Sequence, residues 1–253
     1  MPSALQIPSL GAHLMVGRGW LVAAVATFSA LAVAGCSAGP AMPALRPPAP
    51  TSETRTAAEA TQLLSRLRVI ESLPDVPGYD RSCQTSHGVK HACVFGPAWS
   101  DDTAAPDGHN GCDSRTDAIS AAAREVSRSG RCKISSGVLD DPYTGRTVSF
   151  TAATIEVLEI DHLISLHRAW QLGAATWSPE RRAAFANDVD LELVVTTAAV
   201  NKAKGDRGIG QWQPPNAGYR CRYATKYATV SIAYGLPVTR QDWDTLAAVL
   251  SSC

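Results

Sequence analysis

The 253-residue chain has no excess of charge of either sign, with 23 Lys and Arg against 23 Asp and Glu. That balance excludes a polybasic protein that coats nucleic acid by bulk electrostatics, so any such contact has to come from a local patch. No internal repeat is visible, and the 19 Gly and 16 Pro describe a loop-rich chain rather than a low-complexity one. Helix-turn-helix, zinc-finger and RNA-binding signatures are all missing, which leaves little room for sequence-specific readout. No apolar run reaches the roughly 20 residues that a membrane span needs. What remains is 45% apolar, enough to bury a core in one or two domains and to exclude a disordered chain.

The longest apolar run, Trp20 to Gly35, fits the h-region of a secretory signal. It ends in Val33-Ala34-Gly35-Cys36, which looks like a bacterial lipobox whose thiol takes a lipid. Residues 1–35 therefore read as a lipoprotein signal peptide, with translation starting at Met1 or Met15, and Cys36 as the lipidated residue. Ordinary cleavage leaving Cys36 free is the alternative. The expected location is the outer face of the bacterial cytoplasmic membrane, held through lipid on Cys36, or outside the cell if the lipobox is not used. Residues 36–55, rich in Pro and Ala, read as an extended tether, and 56–253 as the folded domain. Its first helix is expected over Thr56–Ser72, with Leu63, Leu64, Leu67 and Ile70 on one face. Further helices are expected after Ser178-Pro179, over Asn216–Tyr234 with Gly235 as the stop, and after Thr239.

Beyond Cys36 the cysteines are Cys83, Cys93, Cys112, Cys132, Cys221 and Cys253. An even number in an exported chain argues for three disulfides, of which nearest-neighbour pairing is the simplest of fifteen connectivities. The competing reading of the first pair is a zinc site built from Cys83, His87, His91 and Cys93.

Chemistry concentrates in two strand-like runs and a short helix. Val157 to Leu166 delivers Asp161-His162 at its end; Leu191 to Thr196 leads into Ala198 to Asp206, which carries Asn201 and Lys204. Strand, strand, helix, with Asp-His on the first strand and Asn-x-x-Lys on the helix, is the order of a ββα-metal nuclease finger. Phosphodiester hydrolysis needs an activated water and a counter-charge for the transition state. A neutral His162 can take the water's proton, and a divalent cation held by Asp161 and Asn201 can polarise the phosphate. Lys204 would hold a phosphate oxygen.

At these residues the sequence resembles the HNH endonuclease superfamily, and more narrowly the secreted HNH nucleases related to the C-terminal domain of GmrSD restriction enzymes. The likeness runs in order through Phe95-Gly96-Pro97-Ala98-Trp99, Gly111 to Arg115, Asp141-Pro142-Tyr143-Thr144-Gly145, Trp170 to Gly173 and Arg181 to Asp188. It continues through Asn201 to Asp206, Trp212 to Pro215 and Tyr219 to Tyr223. It implies an α+β fold with a ββα-metal (HNH) core, motif 155–206, embedded in helices, and cleavage of nucleic acid, DNA ahead of RNA, with Mg²⁺ or Mn²⁺ as cofactor. The middle Asn of many HNH motifs is absent; Glu192 stands nearest, either accepting from the imidazole or lying solvated on the strand. Asp206 reads as a metal residue or a turn residue, and Arg115 as a phosphate clamp or the partner of Asp113. Trp170, Trp177 and Trp212 read as core. From Ala199 to Lys226 six basic residues face one acid; Lys202, Arg207 and Arg220 are the expected backbone contacts in that patch. The rival class is an inactive envelope lipoprotein that keeps the fold for binding or scaffolding.

Overall fold

Side-chain caps set the helix starts. Asp113 accepts the Thr116 N–H at 2.7 Å, and Ser178 accepts from Arg181 ahead of Pro179. Thr239 and Asp242 form a reciprocal capping box, each arrangement satisfying amide groups that the first turn leaves open. The computed structural model describes residues 57–85 and 91–253; the leader, Cys36, the tether and His87 lie outside them. The helices are α1 (Ala57–Ser65), α2 (Ser114–Ala122), α3 (Leu166–Gln171), α4 (Pro179–Ala186), α5 (Ala198–Lys204), α6 (Arg220–Tyr234) and α7 (Arg240–Ser251). The strands are β1 (Val69–Ile70), β2 (Arg124–Arg128), β3 (Ile134–Asp140), β4 (Thr147–Thr151), β5 (Leu158–His162), β6 (Leu193–Thr197) and β7 (Val238–Thr239). The fold is a mixed α+β one. Its sheets are β1-β7, β2-β3-β4 and β5-β6.

The first helix is shorter than its periodicity predicts. It stops at Ser65, and the β-branched pair Val69-Ile70 pairs in parallel with Val238 and Thr239. Two branched side chains favour the pleated surface over another helical turn. The other expected helices stand: Asn216 caps a short 3₁₀ turn that runs into α6, and Gly235 closes α6 in the left-handed region at φ 68°. The β2-β3-β4 sheet has no counterpart among the expectations. In it Gly137 faces Phe150 across the strands, and a Cβ there would meet the Phe150 ring at 2.6 Å.

The antiparallel pair β5-β6 separates two cores. Leu158, Ile160, Leu193 and Val195 pack on one side with α2 and Phe150. Val194, on the other side, joins the larger core of α3, α5, α6 and α7. Because side chains alternate, Glu159 and Asp161 face the larger core, where α5 lies directly after β6, and His162 faces the opposite way. Disulfides join Cys83–Cys93, Cys112–Cys132 and Cys221–Cys253, with Cα separations of 4.4, 5.3 and 5.8 Å. The first takes the thiolates that the zinc alternative requires, and His91 instead reaches Asp80 at 3.0 Å. The last fastens the chain end beyond α7 to the start of α6. Trp170, Trp177 and Trp212 pack in or against the large core, as expected.

Candidate active site

Asp161 is held from two sides in the interior. Tyr143 donates its hydroxyl to Oδ2 at 2.6 Å, and the Lys204 ammonium donates to Oδ1 at 2.8 Å. The same ammonium donates to the main-chain carbonyl of His162 at 2.8 Å. Tyr143 is positioned by the turn that Asp141 organises. That carboxylate accepts from the Tyr143 N–H and the hydroxyls of Thr144, Thr196 and Thr197 at 2.7–3.2 Å. The Asp-Pro-Tyr-Thr-Gly stretch is thus a polar clasp between the β3-β4 turn and β6. Burial pushes the Asp161 carboxyl up, against the pull of Lys204 and Tyr143. Burial and the neighbouring Asp161 drive the Tyr143 phenol well above its usual value.

His162 lies on the other face. Its Nε2 is 2.9 Å from the Ala186 carbonyl, and because a carbonyl only accepts, Nε2 carries the proton and Nδ1 the lone pair. The ring stacks on Trp99, with centroids 5.7 Å apart and planes 9° apart. It lines a pocket with Arg81, Phe95, Gly96, Leu166 and Asn187. Burial, then the positive charges of Arg81 and Lys204, push the imidazole down to about 3, against the Ala186 carbonyl. It is neutral throughout the physiological range, as a proton acceptor must be.

Several sequence expectations change here. Lys204 has no exposed surface and binds Asp161, so it is not a phosphate contact on the surface. Glu192 does not orient the imidazole: Oε1 accepts the Ile164 N–H at 3.0 Å, Oε2 has no partner among the described residues, and Ala186 takes the orienting role. Arg115 donates to the carbonyls of Leu158 and Ile155, tying α2 to the start of β5; its guanidinium is engaged with backbone rather than with Asp113. The three expected metal ligands do not converge. Asp161 is doubly engaged, Asn201 donates its amide to Glu159 at 2.9 Å, and exposed Asp206 pairs with His167 at 3.1 Å. Among the described residues no group of three or more His, Cys, Asp or Glu side chains is placed to hold a metal ion. Lys202, Arg207 and Arg220 stand exposed, the last two donating to the carbonyls of Lys204 and Pro214. Arg81 carries no signal in the sequence, and Trp99, Tyr143 and Ala186 stand there only as members of the family-like stretches.

Burial of these groups has a measurable pH signature. With His162 lowered from 6.5 to about 3, the unfolded chain binds a proton that the folded chain refuses. Stability from this group is lost as pH falls below 6.5, at up to about 1.4 kcal/mol per pH unit. Burial raises Glu192 well above 4.5, so its contribution is complete below 4.5 and is lost as pH rises. Urea unfolding of Glu192→Gln at about pH 5 and about pH 8 checks the second sign: the variant is expected to gain on the wild type as pH rises. A pH-independent difference would mean that Glu192 is not held as a buried acid.

Residues 113–249, more than half of the chain, match the family model described as GmrSD restriction endonucleases, C-terminal domain. The chain is also 36% identical over 143 residues to a protein of Arthroderma benhamiae described as an uncharacterized secreted protein, an overlap of 56% of this chain and 68% of that one. No solved structure matches. The family span contains Tyr143, Asp161, His162, Ala186 and Lys204; Arg81 and Trp99 precede it.

Proposed function

Because the chain belongs to the family of the GmrSD restriction endonuclease C-terminal domain, we propose that it is a nuclease that hydrolyses phosphodiester bonds of nucleic acid, DNA ahead of RNA, with little sequence preference. The observation that carries this reading is His162. It is a neutral imidazole with one nitrogen fixed by the Ala186 carbonyl, in a pocket that Arg81 makes positive. In the proposed reaction the free ring nitrogen takes a proton from water, the resulting hydroxide adds to phosphorus, and the bond to the leaving oxygen breaks. The order β5, β6, α5 supports reading this unit as an HNH-type ββα finger. A divalent cation, which the family implies, would supply charge neutralisation. The side chains of Asp161, Asn201 and Asp206 do not fit it as they are arranged.

The three disulfides and the secreted relative support export. The assignment of 1–35 as leader, 36–55 as tether and 56–253 as nuclease domain belongs to the same proposal, as does lipid on Cys36, which Cys36→Ala should abolish together with membrane partitioning.

The deciding experiment is incubation of the purified protein with supercoiled plasmid and with RNA, in EDTA and in Mg²⁺ or Mn²⁺. Nicking and then linearisation in at least one condition is the expected result. Inertness in all of them would favour a second reading, a binding module that keeps the fold, for which the dispersed ligand set is the best support.

A further inference from the structure

Arg81 is the one strongly charged side chain in the wall of the His162 pocket, and it comes from a segment that the family span does not include. Its backbone is fixed from several directions. Cys83 is bonded to Cys93, the Cys93 N–H donates to the Ser82 carbonyl at 3.1 Å and the Val94 N–H to the Asp80 carbonyl at 3.0 Å. The adjacent carboxylate, Asp80, is engaged by His91 and by the Ala92 and Ser82 N–H groups. Arg182 of α4 donates to the Val94 carbonyl and so fastens this stapled loop to the helix whose Ala186 holds His162. Arg81 itself is exposed, and no carboxylate pairs with it among the described residues.

A guanidinium with no carboxylate partner among the described residues thus lines a pocket whose other walls include Phe95, Trp99, Leu166, Asn187 and a neutral imidazole. A planar donor fork suits a phosphodiester oxygen pair, and Trp99, stacked on His162, offers an aromatic wall beside it. Building on the nuclease reading above, we propose that Arg81, braced by the Cys83–Cys93 disulfide, forms a phosphate subsite that clamps the nucleic-acid backbone against His162. In this arrangement Arg81 does at the surface what sequence reasoning assigned to Lys204, whose ammonium is sealed inside.

The test uses the full-length protein and a fluorescein-labelled DNA oligonucleotide in EDTA, followed by anisotropy across a salt series. Arg81→Ala is expected to weaken binding roughly 10-fold and to lower the slope of log affinity against log salt by about one. Arg81→Lys should restore the slope more than the affinity. The paired substitution Cys83→Ser with Cys93→Ser should weaken binding although Arg81 is intact. An unchanged slope in Arg81→Ala overturns the proposal even if the wild type cleaves DNA. Binding by the wild type without cleavage in any metal sinks the nuclease reading but leaves the Arg81 comparison decisive. Inorganic phosphate is the second probe: displacement of the oligonucleotide at a phosphate concentration equal to that of its nucleotides would overturn the backbone assignment in favour of a free-phosphate site.

Discussion

His162→Ala is expected to lower the rate of plasmid cleavage by roughly 10²–10⁴-fold, the usual worth of a positioned proton acceptor, with little change in the affinity for DNA. The residue is 7% exposed and its ring makes one polar contact among the described residues, so circular dichroism should show an intact fold. The pH profile gives a second reading of the same group. A base is active above its pKa, and this imidazole is pushed down to about 3. On the free protein kcat/KM should therefore stay level as pH falls through 6.5, and decline only toward the acid extreme. A decline centred near the ordinary histidine value would assign the proton transfer to a different, solvated group.

The second large effect falls on stability. Removing the Lys204 side chain leaves the Asp161 carboxylate buried with Tyr143 as its remaining donor, and breaking one partner of a buried ion pair costs about 3–5 kcal/mol. That is a large share of the roughly 5–15 kcal/mol that holds a domain together. Urea denaturation of Lys204→Ala should show it as a shift of the midpoint. Combining Lys204→Met with Asp161→Asn should recover much of the loss, because an amide oxygen can still accept from the Tyr143 hydroxyl at 2.6 Å without a buried charge. A surface phosphate contact would behave differently: its removal would change stability by less than about 0.5 kcal/mol and act on DNA affinity instead. Failure of the double substitution to outlast the single one would mean that the pair is not the source of the loss.

Elements with strong local signals were legible in the sequence. The caps at Ser178 and Thr239, the stop at Gly235, the strand ending in Asp161-His162 and the order strand, strand, helix are all encoded within a few residues of where they act. The β2-β3-β4 sheet was not, because β2 is exposed along most of its length and β3 carries a glycine whose purpose, room for Phe150, appears only once the strands pair. The candidate site was half legible. Residue types at 161, 162, 201 and 204 were visible, but which face of β5 Asp161 and His162 occupy depends on where α5, which carries Asn201 and Lys204, packs. Lys204 read as a surface cation because lysines usually are, and nothing in the local sequence tells that Asp161, 43 positions earlier, takes its ammonium inside. Arg81 and the Ala186 carbonyl have no sequence signal: one is an arginine next to a cysteine, the other a backbone atom.

The antiparallel pair β5-β6 has an unusual connection for two neighbouring strands. A tight turn normally fixes the register of such a pair, whereas here α3, α4 and the chain around them intervene. A slip by one residue would exchange the two faces, sending Asp161 toward Trp99 and His162 toward Tyr143 and Tyr223. The buried polar contacts act as pins against that slip. Lys204 reads the side chain of residue 161 and the carbonyl of 162 at once. Asp141 clasps Thr196 and Thr197, and Glu192 accepts the amides of Leu163 and Ile164 through its carbonyl and its carboxyl. These charges are a poor source of net stability, but they admit a single alignment of the strands, and in that alignment the imidazole faces the pocket.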